Sequence, residues 1–134
     1  MISDRIEILS RKKITDKRGW FLKVINGKES NLPNYTGEFY ITSAKPRESK
    51  GGHYHLKANE WFTLIKGDCK LILEDILSKE NLVILLSSES PKTIFVPFGI
   101  AHIFVNDSVE EFILTAYSDK LYEPDDTITY FFKS

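Results

Sequence analysis

The residues best suited to chemistry in this chain are its histidines, of which there are only three. His53 and His55 are separated by one residue, and on a β-strand side chains at this spacing project from the same face. The side chain of Glu60 lies on the same face as the two histidines only if the chain turns or bulges within residues 56–59. The third histidine, His102, lies far along the chain in a second segment, residues 97–106. These four residues could act together only if the fold brings the two segments to one place.

Three imidazoles and one carboxylate form a set that suits a divalent transition metal. Imidazole nitrogen is a ligand for zinc, iron, manganese and nickel, and a carboxylate lowers the net charge of the site. We predict that His53, His55, Glu60 and His102 bind such an ion, with zinc expected and the other three metals left open. Two alternatives remain. The histidines line a pocket without a tightly bound metal and transfer protons, or they are hydrogen-bonded residues of the core or surface.

The sequence predicts that these residues are positioned by a series of short β-strands. Runs rich in β-branched and aromatic residues are separated by turn signals such as Asn26-Gly27. The predicted strands are residues 5–9, 20–25, 38–44, 53–56, 60–66, 69–74, 82–86, 93–96, 102–105, 111–117 and 127–132. No segment shows an apolar repeat at helical spacing, and residues 28–37 predict a loop. The pattern predicts an all-β sandwich or barrel whose interior forms a pocket.

Composition restricts the class of protein further. The 134 residues, 42% hydrophobic and 28% charged, predict one globular domain over residues 1–134. A formal net charge of −1 argues against nucleic acid or an anionic membrane as a partner. The chain has no apolar run of membrane-spanning length, no apolar signal core and a single cysteine, Cys69. Because one cysteine forms no internal disulfide, we expect a cytoplasmic protein.

The two histidine segments resemble the paired motifs of the cupin superfamily. The first motif reads His-x-His-x4-Glu-x6-Gly, and the second reads Pro-x-Gly-x2-His-x3-Asn. Both are complete in this chain, in the residues His53, His55, Glu60 and Gly67, then Pro97, Gly99, His102 and Asn106. The resemblance runs from about residue 38 to residue 126. It implies a jelly-roll barrel in which the four ligand-type residues bind metal.

The flanking segments resemble a narrower group, the cupins that act on nucleotide sugars. Residues 16–21, Asp-Lys-Arg-Gly-Trp-Phe, are similar to the Asp-x-Arg-Gly-aromatic segment of that group. Residues 39–41 and 50–55 resemble the ketoisomerase segment in which an Arg-Gly precedes the paired histidines, and residues 121–126 suit the same relatives. These relatives are dTDP-4-dehydrorhamnose 3,5-epimerases, dTDP-4-keto-6-deoxyhexose 3,4-ketoisomerases and the metal-binding cupin domain of capsular-polysaccharide enzymes that epimerise a UDP-4-keto sugar.

This resemblance implies an isomerase or epimerase that acts, through an enolate, on a dTDP- or UDP-linked 4-keto-6-deoxy sugar. The setting would be O-antigen or capsule synthesis, and the expected assembly is a homodimer. The expected catalytic residues are His53, His55 and Tyr117. The expected substrate-binding residues are Arg18, Phe21, Tyr40, Arg47 and Lys50. Two other functions stay open, a metal-dependent cupin oxygenase and a non-catalytic, metal-containing sugar-binding module.

Three positions depart from the pattern of these relatives. Lys50 stands where an arginine is expected, which keeps the positive charge but loses bidentate geometry. Tyr117 comes two positions later than the catalytic tyrosine of the epimerases. Ketoisomerases have one residue fewer between the second histidine and the glutamate, so the spacing from His55 to Glu60 favours the metal-binding branch.

Overall fold

Twelve strands and two short 3₁₀ helices make up the described part of the chain. The computed structural model describes residues 1–17, 19–33 and 37–133, and for residues 19–21 only the backbone. In chain order the elements are η1 (Ile2–Asp4), β1 (Glu7–Ser10), β2 (Lys13–Asp16), β3 (Gly19–Leu22), β4 (Glu38–Ala44), β5 (Ser49–His55), β6 (Glu60–Lys66), β7 (Asp68–Asp75), β8 (Asn81–Ser87), β9 (Lys92–Val96), β10 (Ile100–Val105), β11 (Phe112–Ser118), η2 (Pro124–Asp126) and β12 (Thr127–Thr129).

Strands β4 to β11 form two antiparallel sheets that face each other. Their orders are β4-β11-β6-β9 in the first sheet and β5-β10-β7-β8 in the second. This order is that of a jelly roll built from two Greek keys. Strand β1 extends the first sheet beside β9, β12 extends the second beside β5, and β2 pairs with β3 in a separate hairpin. The predicted all-β jelly-roll barrel is confirmed.

Side chains that alternate along the strands build the core between the sheets. Strand β7 shows the pattern most clearly, because Cys69, Leu71 and Leu73 are buried while the intervening residues are less so. The largest buried side chains of this cluster are Phe62, Leu64, Leu71, Leu73, Ile94, Ile100, Phe104, Phe112 and Leu114. Each such side chain contributes roughly 1.5–3 kcal/mol through removal of apolar surface from water. The apolar core therefore provides a rigid frame for the polar residues at one end of the barrel.

The first sheet is also covered on its outer face. Trp61, on the outward side of β6, is only 1% exposed. The segment that follows β3 lies over this face, and its Val24 carbonyl accepts hydrogen bonds from Arg11 Nε at 3.1 Å and Thr93 Oγ1 at 3.0 Å. Arg11 also forms an ion pair with Glu29. Because β6 is buried on both faces, its residues do not alternate between buried and exposed.

Most predicted strands match the observed ones, and the differences have local causes. The predictions for residues 38–44 and 60–66 coincide with β4 and β6. Strand β2 was not predicted, because Lys13–Asp16 has only one large apolar residue and its pairing partner β3 supplies the rest of the hairpin. The last predicted strand ends early, at Thr129. In the described part of the chain, no helix has the length and apolar character needed to cross a membrane.

Candidate active site and metal centre

Strand pairing in the second sheet brings the three histidines together. His53 and His55 lie near the end of β5 and project from one face. His102, on β10, is directly opposite His53 in the strand register. The ring centroids of His53 and His102 are 4.8 Å apart, and those of His53 and His55 are 5.1 Å apart. Two neighbouring strands therefore place three imidazoles within one small volume.

Glu60 reaches the histidines from the opposite sheet. Strand β5 ends at His55 and β6 begins at Glu60, so residues 56–59 carry the chain from one sheet to the other. This turn is held by two carboxylates, since Asp126 Oδ2 accepts the Ala58 N–H at 3.2 Å and Asp119 Oδ1 accepts the Asn59 N–H at 2.9 Å. The turn that the sequence required between His55 and Glu60 is thus present.

The four side chains converge on one point. One ligand atom from each of His53, His55, Glu60 and His102 lies within 4.8 Å of the other three. Oε1 of Glu60 is 2.7 Å from Nε2 of His55 and 3.5 Å from Nε2 of His102. Nε2 of His55 and Oε1 of Glu60 are both buried, and among the described residues neither has a hydrogen-bond partner other than the other atom of this pair. Convergent nitrogen and oxygen donors of this kind fit a divalent cation such as zinc.

The outer atoms of these side chains are held by neighbouring groups. Nδ1 of His102 is 3.3 Å from the carbonyl oxygen of Ile100. Oε2 of Glu60 accepts a hydrogen bond from the Tyr40 hydroxyl at 2.9 Å. Such outer contacts orient metal ligands and fix the tautomer of ligating histidines. Among the described residues, His53 has no hydrogen bond and is held by packing against the other two rings.

Burial and charge shift the acid–base behaviour of the cluster. Burial lowers the pKa of His102 to about 4, and burial together with the neighbouring His55 lowers the pKa of His53. Burial also opposes protonation of His55, but the carboxylates of Glu60 and Asp126 outweigh it and raise the pKa of His55. Burial alone would raise the pKa of Glu60, yet its contacts with the histidines lower it. The cluster thus holds an anionic carboxylate beside two imidazoles, those of His53 and His102, that burial keeps neutral, which favours a cation.

The cluster lies at the floor of a cavity with two lobes. The first lobe has a volume of about 240 Å³, and its polar lining residues include Glu38, Tyr40, His53, His55, Lys120, Tyr122 and Glu123. The second lobe, of about 190 Å³, is lined by Tyr40, Thr42, Lys50, Gly51, His53 and His102 together with core residues. Because Tyr40 and His53 line both lobes, a ligand in either lobe would contact the cluster.

The structure brings some of the predicted site residues to this cavity and not others. Tyr40 and Lys50 line it. Arg47 does not, because it lies in the turn after β4, where its N–H donates to the carbonyl of Asn106 at the other end of β10. Arg18 and the side chain of Phe21 lie outside the described residues. Their expected role in substrate binding stays a prediction.

Tyr117 also lies away from the cavity, which corrects its expected catalytic role. On β11, Ala116 and Ser118 are the neighbours that face inward, and Tyr117 is on the outer face of the sheet. Its ring packs 5.6 Å from that of Trp61, and its hydroxyl accepts the Gly37 N–H at 3.1 Å. The hydroxyl that contacts the cluster belongs to Tyr40, which is paired with Ala116 across the strands.

Several residues of the site were not singled out in the sequence. Asp126 and Thr127 contact His55, and Lys120 and Tyr122 line the first lobe. The sequence signal for Tyr122 and Asp126 is the segment 121–126, which resembles nucleotide-sugar cupins without indicating a role for any one residue. Lys120 and Thr127 lie just outside that segment. Their proximity depends on the pairing of β12 with β5, which is not a local property of the sequence.

A jelly-roll barrel with three histidines and a glutamate converging in its cavity defines a cupin with a metal-type site. Residues 14–130 match the sequence profile of the family described as the polysaccharide biosynthesis C-terminal domain. Since this match covers most of the chain, the chain belongs to that family.

Known proteins with similar sequence or structure agree with this class. The chain is 24% identical over 116 residues to the UDP-2-acetamido-2,6-beta-L-arabino-hexul-4-ose reductase of Pseudomonas aeruginosa, a match that covers 87% of this chain and 30% of that protein. It is 27% identical over 119 residues to the TDP-4-oxo-6-deoxy-alpha-D-glucose-3,4-oxoisomerase of Aneurinibacillus thermoaerophilus, covering 85% of this chain and 81% of that protein. The fold is similar to that of a dTDP sugar isomerase from Desulfovibrio desulfuricans G20, with a TM-score of 0.84, 15% identity and coverage of 92% of this chain and 82% of that one.

These comparisons confirm the resemblance to nucleotide-sugar cupins. The chain spans about 30% of the length of the Pseudomonas relative. The expectation that residues 1–134 form a single cupin domain stays a prediction.

Proposed function

We propose that this chain is an isomerase or epimerase of a dTDP- or UDP-linked 4-keto-6-deoxy sugar in the synthesis of cell-surface polysaccharide. The observation that carries the proposal is the convergence of four ligand-type side chains on the floor of an open cavity. The names of the Aneurinibacillus relative and of the matching family support the substrate class and the pathway.

The chemistry of a 4-keto sugar explains why such a cluster is useful. A carbonyl at C4 acidifies the hydrogens on the neighbouring carbons, because the anion left behind is an enolate. Catalysis then needs a group that stabilises negative charge on the ketone oxygen and groups that remove and return a proton. The enolate between C3 and C4 serves both reactions. Return of the proton to C3 from the other face gives an epimer. Protonation of C4, with loss of the proton from the C3 hydroxyl and gain of one on the C4 oxygen, gives the 3-keto isomer.

His53, His55, Glu60 and His102 are the residues that would hold a divalent metal, with zinc as the expected ion. When bound, such an ion supplies Lewis-acid polarisation of a ketone or hydroxyl oxygen. The protein's own contribution is to keep the four donors converged. Glu60 is held by Tyr40 and His102 is held by the Ile100 carbonyl, so neither has to reorganise on binding.

Without a metal, the same geometry supports proton transfer by the histidines themselves. His53 and His55 both line the first lobe of the cavity, so each would lie beside a sugar ring bound there. One imidazole would remove the proton next to the ketone and the other would return it. A histidine whose lone pair is on a metal cannot also accept a proton through that atom, so the two assignments exclude each other for any one nitrogen.

The nucleotide end of the substrate requires cations for its diphosphate and an aromatic face for its base. Lys50 borders the second lobe, and Lys120 borders the first. We assign the diphosphate to these lysines together with Arg18, and the base to Phe21. The assignment of Arg18 and Phe21 is based on their resemblance to the N-terminal segment of nucleotide-sugar cupins.

Proton exchange tests the function directly. The protein is incubated in heavy water with dTDP- and UDP-linked 4-keto-6-deoxyglucose, and deuterium entry is followed by NMR. We expect deuterium at a carbon adjacent to the ketone, and the carbon that is labelled identifies the reaction. His53→Gln should lower the exchange rate by about 10²–10⁴-fold, as expected for loss of a metal ligand or a general base.

The two other functions are separated by the same experiment. Absence of deuterium with both nucleotides, together with measurable binding of the sugar nucleotide, would replace the proposal by a sugar-binding module. Consumption of oxygen with bound iron, and an oxidised product in place of deuterium exchange, would instead point to an oxygenase. A folded His53→Gln variant with wild-type exchange would remove His53 from the catalytic assignment.

We also propose that the protein is a homodimer that associates through β4. This strand is an edge of the first sheet, and Phe39 and Ile41 on its outer face are 56% and 62% exposed. Beside them lies a groove of about 360 Å³ lined mainly by apolar residues. A second copy of the chain would cover both the apolar face and the unpaired edge.

Oligomeric state measured by light scattering tests this proposal. Ile41→Lys should convert a dimer to a monomer, because it places a charge in the proposed interface. Leu85→Lys is the matched control, since Leu85 is 77% exposed on the edge strand β8 of the other sheet. A monomeric wild-type protein, or a dimeric Ile41→Lys variant, would refute an interface at β4.

A cytoplasmic location stays a prediction. It is based on Cys69, which is free and buried on β7. Burial raises the pKa of the Cys69 thiol to about 12, so the thiol is protonated and unreactive at neutral pH. Cell fractionation checks the location.

A further inference from the structure

Nδ1 of His55, the ring nitrogen on the side away from Glu60, faces the side chains of Asp126 and Thr127. Oγ1 of Thr127 is 3.4 Å from Nδ1 of His55, and Oδ2 of Asp126 is 3.7 Å from the same atom. Asp126 is only 8% exposed. Its other oxygen, Oδ1, is buried and has no hydrogen-bond partner in the part of the chain that the structure describes. Burying a carboxylate with an unsatisfied oxygen costs folding free energy. The position of Asp126 beside an imidazole therefore indicates a functional role.

Backbone hydrogen bonds set these two residues against the strand that carries His55. Thr127 is paired with His55 in the register of β12 and β5. The carbonyl of Asp126 accepts the Leu56 N–H at 3.1 Å, and its N–H donates to the Glu123 carbonyl at 3.0 Å. The contact with the imidazole is therefore built into the sheet and does not depend on a mobile side chain.

We propose that Asp126, assisted by Thr127, is the positioning residue of the metal centre. Neutral imidazole carries one proton, on either Nδ1 or Nε2. The negative charge of Asp126 and the Thr127 hydroxyl favour the proton on Nδ1. Without an ion, Oε1 of Glu60 competes for that proton, because it lies 2.7 Å from Nε2. A bound ion requires Nε2 to be free of the proton, and Asp126 then stabilises the proton on Nδ1. This inference rests on the metal binding proposed above, for which a free Nε2 lone pair is required.

Asp126 has a second contact that must be separated from this role. Its Oδ2 accepts the Ala58 N–H and so helps to hold the turn that leads to Glu60. Asp119 holds the same turn from the other side, through Asn59 N and Asn59 Nδ2, both at 2.9 Å. Since no contact joins Asp119 to an imidazole among the described interactions, Asp119→Ala is the matched control for loss of the turn.

Zinc affinity, measured on the full chain by competition with a chromophoric chelator, is the first test. Asp126→Ala should weaken zinc binding by about 10–100-fold. Asp126→Asn should recover most of the affinity, because the amide oxygen can still accept from Nδ1–H, and Thr127→Val should show a smaller loss. Asp119→Ala should lower the thermal unfolding midpoint but leave zinc affinity nearly unchanged. Equal losses of affinity in Asp126→Ala and Asp119→Ala, or none in Asp126→Ala, would overturn the proposal.

The tautomer of His55 gives a second readout that needs no metal. In ¹⁵N-labelled, metal-free protein at an alkaline pH where imidazoles are neutral, Glu60 and Asp126 compete for the His55 proton. NMR should therefore show a larger fraction of the Nδ1–H tautomer in the wild type than in Asp126→Ala. An equal fraction of the Nδ1–H tautomer in the two proteins would refute the role of Asp126. If the wild type binds no zinc but Asp126→Ala lowers the Nδ1–H fraction, the metal centre fails and the positioning of His55 by Asp126 is retained.

Discussion

For His102 and Glu60, contacts on the outer side of the site decide which atom of the side chain faces the other ligands. The Ile100 carbonyl is near Nδ1 of His102, so Nε2 of His102 faces Glu60. The Tyr40 hydroxyl donates a hydrogen bond to Oε2 of Glu60, so Oε1 of Glu60 faces the imidazoles. These contacts are present without an ion, and a site whose donors are already oriented binds its ion at a smaller entropic cost.

The contribution of a single ligand can be measured at His102. We expect His102→Ala to reduce bound zinc to less than about a tenth of the wild-type amount at matched free zinc, because one of the nitrogen donors is removed. The fold should persist, since the change leaves the apolar cluster between the sheets in place. Ile103→Ala is the control, because Ile103 is the next residue of β10 and faces the opposite side. Full zinc occupancy by elemental analysis in His102→Ala would remove this residue from the ligand set.

Two tyrosine substitutions distinguish the cavity face from the outer face of the first sheet. Tyr40→Phe removes the hydrogen bond to Glu60 and should lower the proton-exchange rate by about tenfold or more. Tyr117→Phe removes the acceptor of the Gly37 N–H on the outer face, so it should cost about 1 kcal/mol of stability and leave exchange unchanged. The opposite result, with exchange lost only in Tyr117→Phe, would restore the catalytic role expected from the sequence.

At the level of elements, the site depends on how β5 pairs with β10. The register of this pair shifts between His102 and Ile103, where a bulge lies next to the ligands. Gly51 makes the bulge possible. Its φ is +97°, and a Cβ at this position would lie 2.7 Å from the carbonyl oxygen of His102. The close approach of the two backbones aligns His53 with His102, so the bulge has a positional role in the site.

Replacing Gly51 should therefore be more damaging than replacing another glycine of similar backbone angle. We expect Gly51→Ala to lower the free energy of unfolding by about 3 kcal/mol or more, from backbone strain plus the clash with His102. Gly27→Ala is the control, because Gly27 has a φ of +88° but no atom of the described residues lies within 4 Å of an added Cβ, and it should cost about 1–2 kcal/mol. Urea unfolding measures both. Equal costs would show that the close contact at Gly51 relaxes without strain.

At the scale of the whole molecule, the N-terminal segment ties the two sheets together. Arg5, just after η1, donates to Asp75 at the end of β7 at 2.9 Å and to the Phe98 carbonyl at 3.0 Å. Arg11 and Glu29 secure the same part of the chain over the first sheet. The start of the chain therefore contacts both sheets, and loosening it should lower the stability of the whole barrel.

Lowering the pH should weaken the contact between Arg5 and Asp75. Hydrogen bonds from the N–H groups of Leu77 and Ser78, together with the charge of Arg5, lower the pKa of Asp75. Because the folded-state pKa lies below the unfolded value of about 3.9, the stabilisation is complete above that value and is lost as the pH falls through the lower folded-state pKa. We expect the free energy of unfolding to decline below about pH 4 and Asp75→Asn to flatten this decline. An unchanged slope in Asp75→Asn would contradict the assignment.

The sequence by itself determined the fold class and the residues worth testing as ligands. Strand alternation and turn residues are local properties, and so is the spacing of His53, His55 and Glu60 within one segment. His102, the third histidine of the chain, lies in a second segment, and the cupin motifs connect that segment with the first. These features predicted a jelly-roll barrel, which the structure confirms, and a set of four side chains, which the structure brings within reach of one ion. Metal binding itself stays a prediction.

Only the tertiary structure decided which other residues belong to the site. Tyr117 could not be excluded from the sequence, because Trp61 and its neighbours are buried beneath the segment after β3, so both faces of the first sheet carry apolar residues. Asp126 could not be assigned, because its contact with His55 depends on the pairing of strands that are about seventy residues apart in the chain. Register between distant strands is set by the packing of the complete barrel, and no local stretch of sequence carries that information.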